Sequence, residues 1–450
     1  MTVSSTIASF VCSLRDGTIP EPVEHRLRAC LLNGYGIALG GLPTHYHRVA
    51  AQAALAAHGE VANGVTLLGD GRKAGIDAAL LSNAALFHGL AQEDTCGTVH
   101  VGAIVMPMLT AMAETGRYDG KRFLPALLAG YEVAGLFDVA YGSLTAPLGL
   151  RASPLYGTLG AAAAAAAFMG LGEDGIASAL ANAAAFTGGT LQAFAEGTDE
   201  WRYQVGIAAR NGLTAAALAR AGSVTAPHAF EGNAGFLRAY VKADCDLEKL
   251  LEGLGKRWAI ERVTFKPYPV CAFNQTPVQA ALTLREKLAG RYPHAITVRM
   301  NPYETSYAGM LAKGPFSTIS GTLMSIPFCV AVTLVRGAPT ITNMTTYDDW
   351  QVAALIERIN VVSDQDVPNL STVIDADVGD GTRIVHKQTM TAADYAYDWH
   401  GVSRLVRRVG ATAGLDPSLY DQLESIVRSI SGQTVQDIIK IFAAARAMAQ

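Results

Sequence analysis

Residues 155–171 read LYGTLGAAAAAAAFMGL, in which seven consecutive alanines follow Gly157 and Gly160. Alanine is the strongest helix former, and a helix covered with alanine and glycine can approach its neighbours closely. The stretch is too short and too rich in alanine to span a bilayer. It therefore predicts a tightly packed helix, either in the interior of the subunit or at a subunit interface.

The sequence on both sides of this stretch determines the fold class. Up to about residue 260, alanine- and leucine-rich segments alternate with short glycine or proline breaks, which is typical of packed helices. After Trp258, short alternating segments rich in β-branched residues predict strands. These segments are 262–265, 294–300, 359–364, 372–378 and 382–390. Helical segments at 276–288, 320–336 and 348–358 lie between them, and helices return after residue 392.

We therefore predict a mostly α fold with two domains. A large all-helical bundle domain comprises residues 1–260 and 395–450, and a smaller inserted α+β domain comprises residues 261–394. A chain of 450 residues is long enough for two cores. A cleft between two domains is a common place for a small-molecule site.

The composition excludes several classes of partner. The net charge is −4, from 35 basic and 39 acidic residues without long runs of either sign, so neither nucleic acid nor an anionic membrane is expected as a partner. Six cysteines without a C-x-x-C pair fit a reducing compartment. No nucleotide-binding or metalloprotease motif is present, and we expect neither a cofactor nor a metal. The first residues lack the pattern of a secretory signal, which predicts a cytoplasmic protein.

A polar island interrupts the apolar sequence at residues 83–102, NAALFHGLAQEDTCGTVHVG. Within it lie His88, Glu93, Asp94, Thr95, Cys96 and His100. Titratable groups in an apolar neighbourhood have shifted proton affinities, and such groups concentrate in active sites. A single buried histidine is more often structural, so both interpretations stay open at this point.

Two further stretches carry candidate functional groups. In FKPYPVC, residues 265–271, two prolines fix the backbone around Lys266. Desolvation in a cleft would make this lysine a proton acceptor, although a lysine stem more often covers apolar surface. Arg151 and Tyr156 lie at the predicted start of the polyalanine helix, where backbone N–H groups and a guanidinium suit a carboxylate. Arg202 and Arg210 could act in the same way.

These stretches together resemble the MmgE/PrpD family, whose members include hydro-lyases and decarboxylases of tricarboxylates. The resemblance runs in order over nearly the whole chain and rests on six segments. They are NAALFHGLAQEDT with a later H-x-G, the polyalanine helix, GIAARNGLTAAALARAG, FEGNAGF, KPYP and SIPFCVAVTLVRG. The resemblance implies a two-domain, usually dimeric subunit with a cofactor-independent site at the domain junction that acts on di- or tricarboxylates. It also implies functional roles for His100, Asp94, Thr95 and Lys266, which match family motifs.

The chain departs from the family pattern at several acid–base positions. Ala91 replaces the first acidic residue of the family's L-D-F-D-D-T segment, and Arg151-Ala152-Ser153 replaces H-P-T. Residues 201–204, WRYQ, replace K-R-x-H, and Gln275 replaces a histidine. A dehydratase needs an acid for its leaving group, whereas an epimerase needs only two groups that exchange the α proton.

We therefore predict, from this resemblance, an epimerase of iminodisuccinate or a similar amino-dicarboxylate, acting as a homodimer. Lys266 and His100 are the two predicted acid–base groups. The predicted substrate-binding residues are Arg151, Tyr156, Arg202, His88, Asp94, Thr95 and Gln275. One alternative is a hydro-lyase on a citrate-like substrate, and another is a non-catalytic carboxylate-binding protein.

Overall fold

The structure is a computed structural model that describes residues 2–379, 381–430 and 435–448. Its helices are α1 (Val3–Asp16), α2 (Glu21–Gly40), α3 (Tyr46–His58), α4 (Ile76–Phe87), α5 (Val101–Glu114), α6 (Phe123–Thr145), α7 (Ala152–Met169), α8 (Glu173–Phe186), α9 (Gln192–Glu196), α10 (Glu200–Arg220), α11 (Leu247–Leu251), α12 (Gln275–Leu288), α13 (Pro302–Thr305), α14 (Ile319–Met324), α15 (Ile326–Arg336), α16 (Ile341–Met344), α17 (Trp350–Ile356), α18 (Trp399–Thr412), α19 (Pro417–Arg428) and α20 (Val435–Met448). Its strands are β1 (Val65–Thr66), β2 (Lys73–Ala74), β3 (Thr95–Cys96), β4 (Val263–Thr264), β5 (Ala295–Met300), β6 (Ile359–Ser363), β7 (Ser371–Asp377) and β8 (Arg383–Thr389).

The chain forms two compact units. The first comprises residues 1–189, 202–265 and 396–450, and the second comprises residues 190–201 and 266–395. The first unit is built from helices, with the short antiparallel pairs β1–β2 and β3–β4. The second contains the remaining sheet and its helices. The predicted mostly α fold with a separate, smaller α+β domain is confirmed.

Two segments lie in a different unit from the one that the sequence analysis gave them. Residues 190–201 pack in the second unit, where the indole N–H of Trp201 donates to the hydroxyl of Ser320 over 3.1 Å. Strand β4 lies in the first unit, because Val263 and Thr264 pair with Cys96 and Thr95 of β3. Both placements follow from tertiary hydrogen bonds, which segment composition does not reveal.

Helices α6 and α7 form the central contact of the first unit. A Cβ atom added to Gly160 would lie 2.5 Å from the carbonyl oxygen of Gly130 and 2.9 Å from the Cβ of Ala134. The backbones of the two helices therefore touch where α7 has no side chain. Every residue of α7 from Ala152 to Phe168 is buried, which confirms the expected interior position of the polyalanine helix.

Helix α6 is unusually long and apolar for a core helix. With its flanking turns, residues 120–148, it reaches a mean hydropathy of 1.4 over its most apolar window, enough by length and composition to cross a bilayer. However, 72% of that window is buried inside the protein. The helix also carries two buried carboxylates, Glu132 and Asp138, so its apolar character reflects a core position.

The second unit is a four-stranded sheet with the strand order β6-β5-β7-β8. Strands β5 and β6 are parallel, and the other pairs are antiparallel, with Val298 opposite Ile374 and Ile374 opposite His386. Helix α12 packs on β7 and β8. The predicted helix 320–336 is two helices, α14 and α15, because the hydroxyl of Ser325 caps a new N-terminus by accepting from the Phe328 amide.

We predict that Gly160→Ala lowers the free energy of unfolding by about 2 kcal/mol, because the added methyl group must push against backbone atoms of α6. Urea unfolding followed by circular dichroism measures the change. The matched control is Gly172→Ala, where a Cβ meets nothing within 4 Å and the expected loss is below about 1 kcal/mol. Equal stabilities of the Gly160 variant and the wild type would show that the helices separate without cost.

Candidate active site

The polar island folds back on itself immediately after α4. Helix α4 ends at Phe87, and His88 is its C-terminal cap. Three residues later Ala91 has a φ of +57°, a left-handed conformation that is uncommon for residues other than glycine. Such a conformation costs about 1 kcal/mol or more and persists only where the surroundings enforce it. This reversal lets the side chain of Glu93 reach His88.

Glu93 lies between two histidines and contacts both through one oxygen. Its Oε1 atom is 2.9 Å from Nδ1 of His88 and 2.6 Å from Nδ1 of His100. The two imidazole rings are tilted, with their centroids 4.8 Å apart. The side chains of His88 and Glu93 are fully buried, whereas 17% of the His100 side chain is exposed. His100 is therefore the accessible member of the group.

Arg151 determines where His88 carries its proton. The guanidinium nitrogen NH2 of Arg151 lies 2.8 Å from Nε2 of His88. Arginine has only donors, so Nε2 must accept, and the proton of the neutral ring must lie on Nδ1 and point to Glu93. Burial lowers the pKa of His88 well below its usual value, although the charge of Glu93 opposes the shift. Arg151 also donates to Oε1 of Gln204 over 3.0 Å.

We refer to Arg151, His88, Glu93 and His100 as the relay. The carboxylate of Glu93 lies beside Nδ1 of His100, where a negative charge favours a proton on that nitrogen over one on Nε2. The Nε2 atom of His100 is then the atom that accepts a proton in the neutral ring and donates it in the charged ring.

Three members of the relay also have the residue types of a metal site. The ligand atoms of His88, Glu93 and His100 lie within 4.8 Å of one another, which identifies this group among the described residues as one that could hold an ion. A metal on Nδ1 of His88 would place the ring proton on Nε2, directly against the donor of Arg151. The position of Arg151 therefore favours a shared proton over a metal ion.

Neighbouring segments hold His100 in place. Its backbone N–H donates to the hydroxyl of Ser153, in the first turn of α7, over 3.1 Å. His100 is itself the N-terminal cap of α5. Strand β3 lies just before it in sequence and pairs with β4, where the hydroxyls of Thr95 and Thr264 are 2.9 Å apart.

The other predicted residues of the first unit are buried and have protein partners. Asp94 accepts from the hydroxyl of Tyr131 over 2.5 Å. The hydroxyl of Tyr156 lies 2.8 Å from that of Thr145. The guanidinium of Arg202 lies 3.8 Å above the ring of Tyr46, and its Nε donates to the carbonyl of Gly89, next to His88. These contacts support the folded shape of the polar island.

Lys266 and Gln275 belong to the second unit. Lys266 is buried, with 3% of its surface exposed. The amide of Gln275 donates to the carbonyls of Tyr268 and Val270 and accepts from the Tyr268 N–H, with distances of 3.0 to 3.1 Å. Gln275 therefore fixes the loop that follows Lys266. Burial raises the pKa of the nearby Cys271 thiol, and the charge of Lys266 opposes the shift.

The structure thus brings together three of the predicted residues, His88, His100 and Arg151. Glu93 and Gln204 also contact this group, although neither is among the site residues that the sequence predicts. The spacing of five residues between His88 and Glu93 matches neither a helix face nor a strand face, and only the turn at Ala91 brings the two together. The one feature of the sequence that indicates a role for Glu93 is its place between two histidines in an apolar stretch.

Comparison with known proteins shows the family to which the chain belongs. A family model described as the MmgE/PrpD N-terminal domain matches residues 5–248, and one described as the MmgE/PrpD C-terminal domain matches residues 268–394. The chain belongs to the MmgE/PrpD family. Family membership agrees with the resemblance noted from the sequence motifs and indicates an enzyme.

Similar MmgE/PrpD proteins with curated descriptions are cis-aconitate decarboxylases. The enzyme of Aspergillus terreus is 27% identical over 373 residues, which cover 77% of this chain and 74% of the relative. A cis-aconitate decarboxylase-like protein, oryM of Aspergillus oryzae, is 26% identical over 80% of this chain and 79% of the relative. The human cis-aconitate decarboxylase is 27% identical over 64% of this chain and 60% of its own length. These relatives act on a small carboxylate, so their descriptions support lyase chemistry more directly than isomerase chemistry.

We predict that His88 remains neutral, with its proton on Nδ1, both at neutral pH and at pH 6, where an ordinary histidine is largely charged, because burial and the donor of Arg151 both oppose a second proton. Nitrogen-15 NMR of histidine-labelled protein distinguishes the two tautomers and the charged ring. His88→Gln assigns the signal by its loss. A charged His88 ring at pH 6 would contradict the assigned proton arrangement.

Proposed function

We propose that this protein is a lyase that acts on a tricarboxylate of the cis-aconitate type, with His100 as the group that transfers a proton to or from the substrate carbon. The observation that carries the proposal is the relay, in which a buried carboxylate lies 2.6 Å from Nδ1 of a partly exposed histidine. The similarity to cis-aconitate decarboxylases supports the choice of substrate class.

The relay suits the proton step of a decarboxylation. When the bond to a carboxylate carbon breaks, CO₂ leaves and the electron pair stays on the remaining carbon chain, which must then gain a proton. The His100 imidazolium donates that proton from Nε2, and the ring recovers one from solvent, to which it is partly exposed. Glu93 stabilises the charged ring before the transfer. A dehydration uses the same group in the opposite direction, first as a base.

Lys266 is the second acid–base group of this proposal. Its role rests on the sequence motif KPYP and on the resemblance that the motif carries. Its burial is consistent with a lysine that contacts substrate from within a desolvated site. We further propose that the subunit acts as a homodimer in the cytoplasm, which the family resemblance and the composition favour.

A second candidate function is epimerisation of iminodisuccinate, and two positions favour it. Ala91 provides no acid where the family pattern has one. Gln275, which replaces a histidine of that pattern, uses its amide to hold the backbone of Tyr268 and Val270. An epimerase tolerates both changes, because it eliminates no group and needs no acid for a leaving group.

Proton NMR in D₂O separates the two functions. The purified protein is incubated separately with cis-aconitate, 2-methylcitrate and iminodisuccinate. Replacement of the cis-aconitate signals by those of a dicarboxylate that has lost one carboxyl group, or formation of an alkene from 2-methylcitrate, supports the lyase. Deuterium at the α carbon of iminodisuccinate with interconversion of its stereoisomers, and no alkene, supports the epimerase instead. Binding of a substrate without either reaction would contradict both.

We predict that His100→Asn lowers kcat by roughly a hundredfold or more for whichever of these substrates the protein converts, because it removes the ring that transfers the proton. Steady-state rates by NMR measure the effect. The matched control is His47→Asn, which removes another buried histidine whose Nε2 contacts the carbonyl of Leu42. The control should lose stability and retain kcat. Full activity of the His100 variant would refute its role.

A further inference from the structure

A tight turn leads into His100. The amide of Cys96 donates to the carbonyl of Val99 over 2.9 Å, and the amide of Val99 donates back to Cys96 over 3.2 Å. Gly97 and Thr98 form the tip of this turn, and Gly97 has a φ of +64°. Since His100 follows the turn directly, the orientation of the turn determines where the imidazole ring stands.

Asp138 of α6 holds the tip of this turn. One carboxylate oxygen accepts from the backbone N–H of Thr98 over 2.9 Å, and the other accepts from the Thr98 hydroxyl over 2.6 Å. Two bonds to one residue fix both its position and its rotation. Asp138 is buried, with 7% of its surface exposed.

The carboxylate fits its surroundings closely. A Cβ atom added to Gly97 would lie 2.0 Å from Oδ2 of Asp138, and one added to Gly142 would lie 2.7 Å from Oδ1. Both neighbours are glycines, and any larger residue at either position would displace the carboxylate from Thr98. The turn and α6 are therefore matched in shape at this point.

A second carboxylate of α6 holds the strand that pairs with this segment. Glu132 accepts from the backbone N–H groups of Ala259 and Ile260 over 2.8 and 3.0 Å. These residues lead into β4, which pairs with β3 immediately before the turn. One helix thus anchors both segments of the β3–β4 pair through buried carboxylates.

We propose that Asp138 is a positioning residue that fixes the Cys96–Val99 turn and thereby places the His100 ring against Glu93 and the substrate. This inference rests on the proposed proton-transfer role of His100. Burying a carboxylate without an ion-pair partner costs free energy, whereas a smaller polar side chain could satisfy Thr98 at lower cost. Burial raises the pKa of Asp138 to about 6, although the bonds from Thr98 and the charge of Arg262 oppose the shift. At neutral pH the carboxylate is therefore charged and accepts both bonds.

The experiment compares Asp138→Ala with Asp138→Asn. The alanine variant removes both bonds that hold the turn. We expect kcat to fall between about tenfold and a hundredfold and KM to change by less than about threefold. The reason is that a displaced catalytic group slows the reaction without removing a binding contact. The asparagine variant is isosteric. Its oxygen can accept from the Thr98 amide and its NH₂ group can donate to the hydroxyl, so it should restore kcat to within about threefold of the wild type.

The matched control is Glu114→Ala. Glu114 accepts from the backbone N–H and the hydroxyl of Thr66 over 2.8 and 2.5 Å, so the same kind of contact is lost at a position outside the relay, together with an ion pair to Lys73 at 3.3 Å. We expect this variant to lose stability and keep kcat. Equal losses of kcat in the two alanine variants would overturn the proposal, and so would an Asp138→Ala variant with full kcat.

A spectroscopic readout keeps this test separate from the proposed function. The ¹H–¹³C signal of the His100 ring, assigned by its loss in His100→Asn, should shift in Asp138→Ala and stay in place in Glu114→Ala. If none of the three tested substrates is converted but the His100 ring signal shifts in Asp138→Ala, the proposed function fails and the positioning role stands. An unshifted signal refutes the positioning role. If Asp138→Ala does not fold, Thr98→Val replaces it and Thr98→Ser serves as its conservative partner.

Discussion

The candidate site depends on one buried carboxylate. Glu93 is fully buried and lies within 3 Å of the Nδ1 atoms of two histidines. A carboxylate in the interior is tolerated only where polar partners replace water, and the two histidine rings are such partners for Glu93. The rings in turn require Glu93 to fix their protons. Removing any member would leave a buried polar group without its partner, which is why these side chains act as a unit.

Helix packing determines whether that unit can form. Helix α7 carries Arg151 at its N-terminal cap and Ser153 in its first turn, and both contact the polar island. The small residues of α7 let it lie directly against α6, with Gly160 touching the backbone of Gly130. Helix α6 then presents Asp138 to the turn before His100. The alanine run that lets α7 pack in the interior thus also brings two helices to the site.

The sequence predicted the fold class better than the site, for a physical reason. Helix and strand periodicities reflect local burial, and they suffice to distinguish the helical unit from the α+β unit. The relay depends on the left-handed residue Ala91 and on contacts between segments that are 50 to 115 residues apart in the chain, such as His88 with Arg151 and Gly89 with Arg202. Alanine carries no signal for a positive φ, so the reversal that brings Glu93 to His88 could not be predicted.

The roles of Arg151 and Arg202 as residues that bind substrate carboxylates remain predictions. The structure adds that both side chains are buried against the polar island.

The residue type of Arg151 has a consequence for the protons of the relay. A histidine at the end of the relay could gain or lose a proton, whereas an arginine stays charged and offers only donors at any physiological pH. With Arg151 at 2.8 Å from Nε2, His88 is held in one tautomer and Glu93 always receives its Nδ1 proton. Of the four relay members, His100 is the one whose side chain is partly exposed. Both proposed reactions, decarboxylation and epimerisation, need a single proton to be exchanged with a carbon atom. They differ in whether a second group accepts or returns a proton on the other side of that carbon.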